Sequence, residues 1–373
     1  MTIRISYLAT VVVAILLIIV GNAIATNNLA IFQNVSQEVF RARVQRVVER
    51  IGRDEVPGEM VPMQGNRVIF EAQIASGPRK GETITVTQNL SAFTRVTAKE
   101  VAKGNLVLVI STNGEWYFSG YMRTNKLLGL GILFTLCVLF FGGKKGFNTI
   151  LSLGLTCGAI FAVFIPAILS GKNIYVMSVL VCAYTIAMTL LIVIGFNKKA
   201  FTAAIGCGSG VAVTALIAVV MDRILYLTGI VDDQSRYLAN LPIETQLDLR
   251  AIIFAGITIG AMGAVMDVAM SISSSLWEVK EKAAAIKFDA LFRSGLTIGR
   301  DIMGTMANTL ILAYIGSSLS VVLVLSVYSN SLFALFNSEM IVVEIVQALA
   351  GSLGILFAMP LTALFCSIFY LKD

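Results

Sequence analysis

Apolar residues in this chain fall into blocks of about twenty, separated by short polar stretches. The blocks run over 5–24, 127–141, 147–169, 174–195, 200–221, 250–271, 302–327 and 341–369. A helix rises about 1.5 Å per residue, so roughly 20 apolar residues cross a bilayer core of about 30 Å. The pattern therefore predicts an α-helical polytopic membrane protein with eight crossings. Between the first two blocks the period changes. Alternating positions appear in "NRVIFEAQI" (66–74), "ETITVTQNL" (82–90), "NLVLVIS" (105–111) and "EWYFSGY" (115–121). Turn signals divide them at Gly77-Pro78, Gly81, Gly104-Asn105 and Asn113-Gly114. Residues 28–126 are thus expected to form a small antiparallel β domain, with an OB-like barrel as one form of it. The stretch 38–59 reads equally as a strand with a loop or as a short helix.

Composition agrees with the pattern. The chain has 373 residues, 57% hydrophobic and 13% charged, where soluble domains carry about 25% charge. Mean hydropathy is +0.84. Of the 50 charged residues, 21 fall between Asn28 and Arg123, which sets that segment apart. There is no histidine, so Ser-His-Asp and Cys-His catalysis and His-ligated metals are excluded. The five cysteines, Cys137, Cys157, Cys182, Cys207 and Cys366, lie inside apolar blocks without a C-x-x-C spacing. They read as small buried hydrophobes, with neither a disulfide framework nor a metal site. "GCGSG" (206–210) lacks the lysine of a phosphate-binding loop and lies in an apolar block. No enzyme activity is expected, the alternative being an intramembrane carboxylate pair of Asp267 and Asp301, and no cofactor or metal; a coupling cation or proton is the one small partner left open. The net charge of +6 is modest, so the expected partner is the lipid bilayer and not nucleic acid.

Charge also predicts orientation. Lysines and arginines cluster after even-numbered blocks: Lys144-Lys145, Lys198-Lys199, then Lys280, Lys282, Lys287, Arg293 and Arg300, and finally Lys372. The opposite loops carry Lys172, a mixed set of Arg223, Arg236 and Arg250 with five acids, and Glu339. The positive-inside rule then puts both termini in the cytoplasm and the β domain outside. The domains are an N-terminal signal anchor or signal peptide (1–27), the β domain (28–126) and a seven-helix membrane domain (127–373). Ala23-Ile24-Ala25 fits a cleavage pattern, whereas the long apolar run favours retention. If the first block is cleaved, seven crossings remain. Within the last domain, "SSSLWEVKEKAAAIKFDALFRSGLTIG" (273–299) mixes Leu276, Trp277, Ile286, Phe288, Leu291 and Phe292 with charges. It is expected to lie as an amphipathic segment on the inner leaflet.

Three polar stripes interrupt the apolar blocks. Residues spaced by three and four share a helix face. The first stripe is Gly260, Gly263, Asp267, Ser271 and Ser274. The second is Asp301, Thr305 and Asn308, with Arg300 and Gly304 beside it. The third is Glu344, Gln347, Gly351 and Gly354. A carboxylate at the centre of a membrane helix costs about 2.5 kcal/mol or more, so Asp267 needs a reason to be there. One reason is structural: an ion pair with Arg300 that fixes helix register. The other is an ion or solute pathway through Asp267, Ser271, Ser274, Arg300, Asp301, Thr305 and Asn308, with Glu344 and Gln347 as secondary candidates near the opposite surface.

The segments "GAVMDVAMSISSSLWEV" (263–279), "SGLTIGRDIMGTMANTLILAYIGSSL" (294–319) and "EIVQALAGSLGILFAMPLTAL" (344–364) resemble the YibE/F family of multi-pass bacterial membrane proteins. In the β segment, "SGPRKGETITVTQNL" and "VAKGNLVLVIS" are also similar to that family, with Asn105 where an acid is usual. The resemblance implies a bacterial cell-membrane location and a permease-like architecture. It assigns no substrate and no catalytic residue. Together with the stripes, it makes a gradient-driven or channel-like transporter the leading expectation, as a homo-oligomer or beside a partner subunit. The alternative is a non-transporting scaffold or sensor whose β domain binds a partner.

Overall fold

The computed structural model describes residues 2–26, 38–52, 66–90, 99–112, 114–240, 247–283, 285–328 and 331–371. The chain forms two compact units: residues 30–137, and residues 1–29 together with 138–373.

The first unit holds a closed barrel of five strands. These are β1 (Val39–Gly52), β2 (Asn66–Ile74), β3 (Thr83–Leu90), β4 (Leu106–Thr112) and β5 (Glu115–Tyr121), in the order β1-β2-β3-β5-β4. Every pairing is antiparallel except β3 with β5. Residues 39–52 of the ambiguous stretch are therefore strand; 53–59 lie outside the described residues. β1 is long enough to pair with β4 through Val39–Arg43 and with β2 through Ala42–Gly52. Register shifts between Val44 and Arg46 and between Val47 and Glu49 let it curve from one partner to the other. Alternate residues point inward, so Phe40, Ala42, Val44, Val68, Phe70, Ala72, Val86, Val107 and Val109 form a sealed core. Outside, Arg46 makes a two-pronged contact with Glu71 at 2.7 and 2.8 Å, which holds the Glu71 carboxyl below its usual range. Asn105 does the work of the acid expected at its turn: its Oδ1 accepts from the Ala102 amide at 2.9 Å.

The second unit is helical. Its elements are α1 (Thr2–Thr26), α2 (Thr124–Ala159, which begins in the first unit), α3 (Ile165–Leu169), α4 (Ile174–Val193), α5 (Lys198–Ile224), α6 (Asp233–Ala239), α7 (Leu249–Lys282), α8 (Phe288–Ser317), α9 (Leu319–Tyr328), α10 (Leu332–Phe336) and α11 (Glu339–Leu371). Among the described residues, six helices are long and apolar enough to cross a membrane. The eight predicted blocks differ from these six for two physical reasons. Blocks two and three lie in one stretch, Thr124–Leu169, broken at Gly143 (φ 53°, ψ −128°). Turning there brings Gly146 so close to Val138 that an added Cβ would meet its carbonyl oxygen at 2.2 Å. In a straight helix eight residues would span about 12 Å, so the chain reverses sharply between the two. The seventh block is split between α8 and α9, and its polar stripe dilutes its apolar character.

The segment expected to lie on the inner leaflet divides between two helices. α7 runs on to Lys282 and α8 begins at Phe288, so 273–299 is the end of one helix, a short turn and the start of the next. Most of its apolar residues face the bundle: Leu276 and Leu291 are fully buried, and Trp277, Ile286 and Phe292 pack on the same core, whereas Phe288 is exposed.

α1 packs into this unit. A π-helical turn over Ile160–Phe164 precedes Pro166. Proline has no N–H, so the carbonyl four residues earlier loses its helical donor. That carbonyl belongs to Ala162, and the Asn22 amide of α1 donates to it. Tyr7 donates to Asn148 Oδ1 at 2.9 Å, Tyr184 to the Ala14 carbonyl at 3.2 Å, and Ser170 to the Ala25 carbonyl.

Glycines let α5, α7, α8 and α11 approach closely. A Cβ on Gly206 would lie 2.1 Å from Thr362 Oγ1, one on Gly354 2.0 Å from Thr214 Oγ1, and one on Gly299 2.1 Å from Met359 Cγ. The helices carrying "GCGSG" and "AGSLG" are continuous, so these glycines serve close packing and not unwinding. The contacts also set direction: residues 202, 273 and 370 meet at one end, and 214 meets 354 further along. α5 therefore runs antiparallel to both α7 and α11.

Candidate functional site

α7 is held at its start by Asp248, whose carboxylate accepts from the Arg250 and Ala251 amides at 3.1 and 3.2 Å. From there the helix divides cleanly. Ala261, Met262, Val265, Val268, Ala269 and Ile272 are buried in the bundle core. Thr258 is buried with them, and its hydroxyl donates back to the Phe254 carbonyl at 2.9 Å. On the other face Gly256, Gly260, Gly263 and Asp267 are exposed, and Ser271 and Ser274 are partly so. Nothing lies within 4 Å of the place a Cβ would take on Gly263. Among the described residues the stripe is therefore open at Gly263, next to Asp267.

The third stripe meets the first at its far end. A Cβ on Gly260 would lie 2.7 Å from Tyr314 Oη of α8 and 3.7 Å from Gln347 Nε2 of α11; one on Gly256 would lie 4.0 Å from the same amide. Glu344, one turn before Gln347, is partly buried. At about 1.5 Å per residue, Asp267 sits roughly 10 Å along α7 from this convergence. Tyr314 is an addition that the stripe spacing did not single out.

The second stripe behaves differently. α8 turns Leu291, Gly295, Gly299, Ile302, Met306 and Leu310 to the core, leaving Arg300, Asp301, Thr305 and Asn308 exposed. Thr305 satisfies itself on the Ile302 carbonyl at 2.8 Å. The ion pair expected between Asp267 and Arg300 is not formed. Among the described residues the ion pairs within 4 Å lie in the barrel or on α6.

One buried polar cluster joins three helices at the end where α7 meets α8. Thr202 Oγ1 lies 3.0 Å from Ser273 Oγ and 2.9 Å from Tyr370 Oη. Ser273 Oγ lies 2.7 Å from Tyr370 Oη and donates to the Lys199 carbonyl at 2.8 Å. All three side chains are at most 2% exposed. Trp277 packs edge-on to Tyr370 at 5.0 Å, with the Lys199 ammonium 5.5 Å from its ring centre. Sequence spacing selected Ser271 and Ser274 and passed over Ser273 between them.

A family model described as YibE/F-like protein matches residues 130–372, which takes in α7, α8, α11 and all three stripes. The chain belongs to the YibE/F-like protein family. No curated protein and no solved structure matches it. The family match begins after the barrel, so membership of this YibE/F-like chain rests on its helical unit and leaves the likeness of the β segment to the motifs alone.

Proposed function

We propose that this YibE/F-like protein is a membrane transporter or permease, gradient-driven or channel-like, whose pathway runs along the open face of α7. One observation carries the reading: Asp267 is exposed on a helix whose opposite face is fully buried in the core. A carboxylate facing hydrocarbon is costly, and intramembrane acids characteristically face water, a cavity or a partner. The glycines above Asp267 keep the face narrow, and Ser271 and Ser274 continue it with hydroxyls. The coupling species is a cation or a proton taken by Asp267. No enzymatic step and no cofactor enters. The location is the bacterial cell membrane, with both termini inside and the barrel outside. A second copy, or a partner subunit, would cover the exposed polar face of α8.

The test is thermal unfolding of the purified chain against a panel of cations and pH values, wild type beside Asp267→Asn. A ligand at about 100 times its dissociation constant stabilises by about 2.7 kcal/mol. The expected result is a cation- or pH-dependent gain in wild type that the folded mutant lacks. If both proteins respond identically to every condition, Asp267 is not on a pathway.

A second reading keeps the helices as an anchor and gives the function to the barrel. It is favoured by the barrel being a complete unit with its own core and OB-like closure. It requires Asp267→Asn to affect stability alone.

A further inference from the structure

At the end of the helical unit opposite the Ser273 cluster, α4, α5, α7 and α11 surround a cavity of about 420 Å³. That lies within the range of small-molecule sites, about 300–1,000 Å³. Its floor is apolar: Ala218, Phe254, Ile257 and Val346 form one packed cluster beneath it. Its upper wall is charged, with Arg223 and Asp222 from α5, Arg250 from α7 and the Tyr175 ring from α4. Two arginines therefore share the wall of the cavity with one acid. Among the described residues, neither arginine has a carboxylate within 4 Å. Asp248, the next acid along, is occupied at the start of α7.

The rim is fixed in place. Glu339, in the first turn of α11, accepts from the Thr228 and Gly229 amides, both at 2.7 Å, and from the Thr228 hydroxyl at 2.8 Å. Gly229 has φ +88°, and a Cβ there would meet Leu249 at 2.5 Å, so only glycine lets the loop lie this close to α7. The clamp seats Leu227, which is buried and lines the cavity. A preformed space with an apolar floor and a net positive wall has the attributes of a binding site and not of a packing defect.

We propose that this cavity binds an organic anion: a carboxylate or phosphate head taken by Arg223 and Arg250, with a short apolar body resting on Phe254 and Ile257. Arginine forks suit both heads because each can accept two parallel N–H bonds. The head can belong to a soluble anion or to an anionic lipid. The site does not require that the protein transports anything, and its test measures binding without flux.

The full chain in phosphatidylcholine nanodiscs is titrated calorimetrically with hexanoate, phenyl phosphate, hexanamide and hexylamine. Hexanoate or phenyl phosphate is expected to bind, and the neutral and cationic probes are not. Arg223→Gln and Arg250→Gln should each weaken binding about tenfold or more, the loss expected for a charged hydrogen-bond pair. Arg67→Gln in the barrel should leave it unchanged. Asp222→Asn should strengthen it, because a repelling charge is removed. Unchanged unfolding temperatures without ligand certify that the variants are folded. Repeating the titration in phosphatidylglycerol nanodiscs separates the sources: competition by the lipid assigns the head to a lipid phosphate, and unchanged affinity assigns it to a soluble anion. The proposal is overturned if neither anion binds in phosphatidylcholine, if hexanamide binds as well as hexanoate, if the arginine variants bind normally, or if Asp222→Asn weakens binding.

Discussion

Ser273 makes the residue scale concrete. Its hydroxyl touches two others and a backbone carbonyl, all shut away from water. Removing one partner from a buried network leaves the remaining groups desolvated and unsatisfied, at about 1–3 kcal/mol. Ser273→Ala should therefore lower stability by that amount, while Ser271→Ala, on the open face, should stay within about 0.5 kcal/mol. Thermal unfolding of the two variants in one detergent checks the difference. Equal effects would mean that the cluster contributes nothing beyond an ordinary surface hydroxyl. The sequence could not rank these serines. Counting from Asp267 in steps of three and four selects 271 and 274 because it follows one face. Ser273 lies on the other face, and its partners are 71 and 97 residues away. Asp267 itself was legible, since a lone acid in an apolar block stands out without any knowledge of its neighbours. Its supposed partner was not legible: helix spacing gives the face of Arg300 relative to its own helix, but not which way that helix is turned in the bundle.

At the scale of elements, contact between α5 and α11 depends on glycine opposite threonine. Gly354→Ala would push a methyl to 2.0 Å from Thr214 Oγ1, and overpacking of this kind costs about 1–3 kcal/mol. Thr214→Ala removes the obstructing atom and leaves the next contacts at 3.2 Å or more. The double variant should then be more stable than the sum of the two single losses implies, the mark of residues in direct contact. Strict additivity would mean that the helices part locally instead of clashing. A second element-scale prediction concerns α1. Asn22→Leu keeps the helix apolar but strips the Ala162 carbonyl of its donor, so about 1–3 kcal/mol should be lost on unfolding. Pro166→Ala in the same background should restore most of it, because an alanine N–H can return to that carbonyl. Failure of the rescue would detach the Asn22 contact from the proline. Helix positions were readable from apolar blocks, and four of the five strands from alternation between turns. Helix ends were not. Gly143 breaks α2 between two blocks, and α8 begins fourteen residues before its apolar block because its first turns bury Leu291 and Gly295 among charged residues.

At the scale of the whole molecule, the antiparallel helices divide the charges of the helical unit between two ends. Lys198, Lys199, Lys280 and Lys282 flank the Ser273 cluster at one end; Asp222, Arg223 and Arg250 line the cavity at the other, with Asp248 at the start of α7 beside them. The first end also carries Glu278 and Glu281 but keeps an excess of lysine, whereas the charges at the second cancel, so the proposed orientation would set the Ser273 cluster inside and the cavity outside. The bundle contacts tie α5, α7 and α11 together, so they cannot invert separately, and one orientation holds for all three. In a variant lacking the five native cysteines, Asp233→Cys should react with a membrane-impermeant maleimide on intact cells. Lys282→Cys should react only after the membrane is opened. The reverse pattern would place the anion cavity on the cytoplasmic side and leave Asp267 nearer the outer surface. Asp267→Cys adds a third outcome to the same experiment. If the open face of α7 is a watery path, it reacts with a small soluble thiol reagent despite its apolar flanks; if that face meets lipid or a tightly packed second copy, it does not. Labelling of Ser271→Cys, on the same face with Asp267 kept, that is suppressed by the cation stabilising wild type would join the path to its occupant.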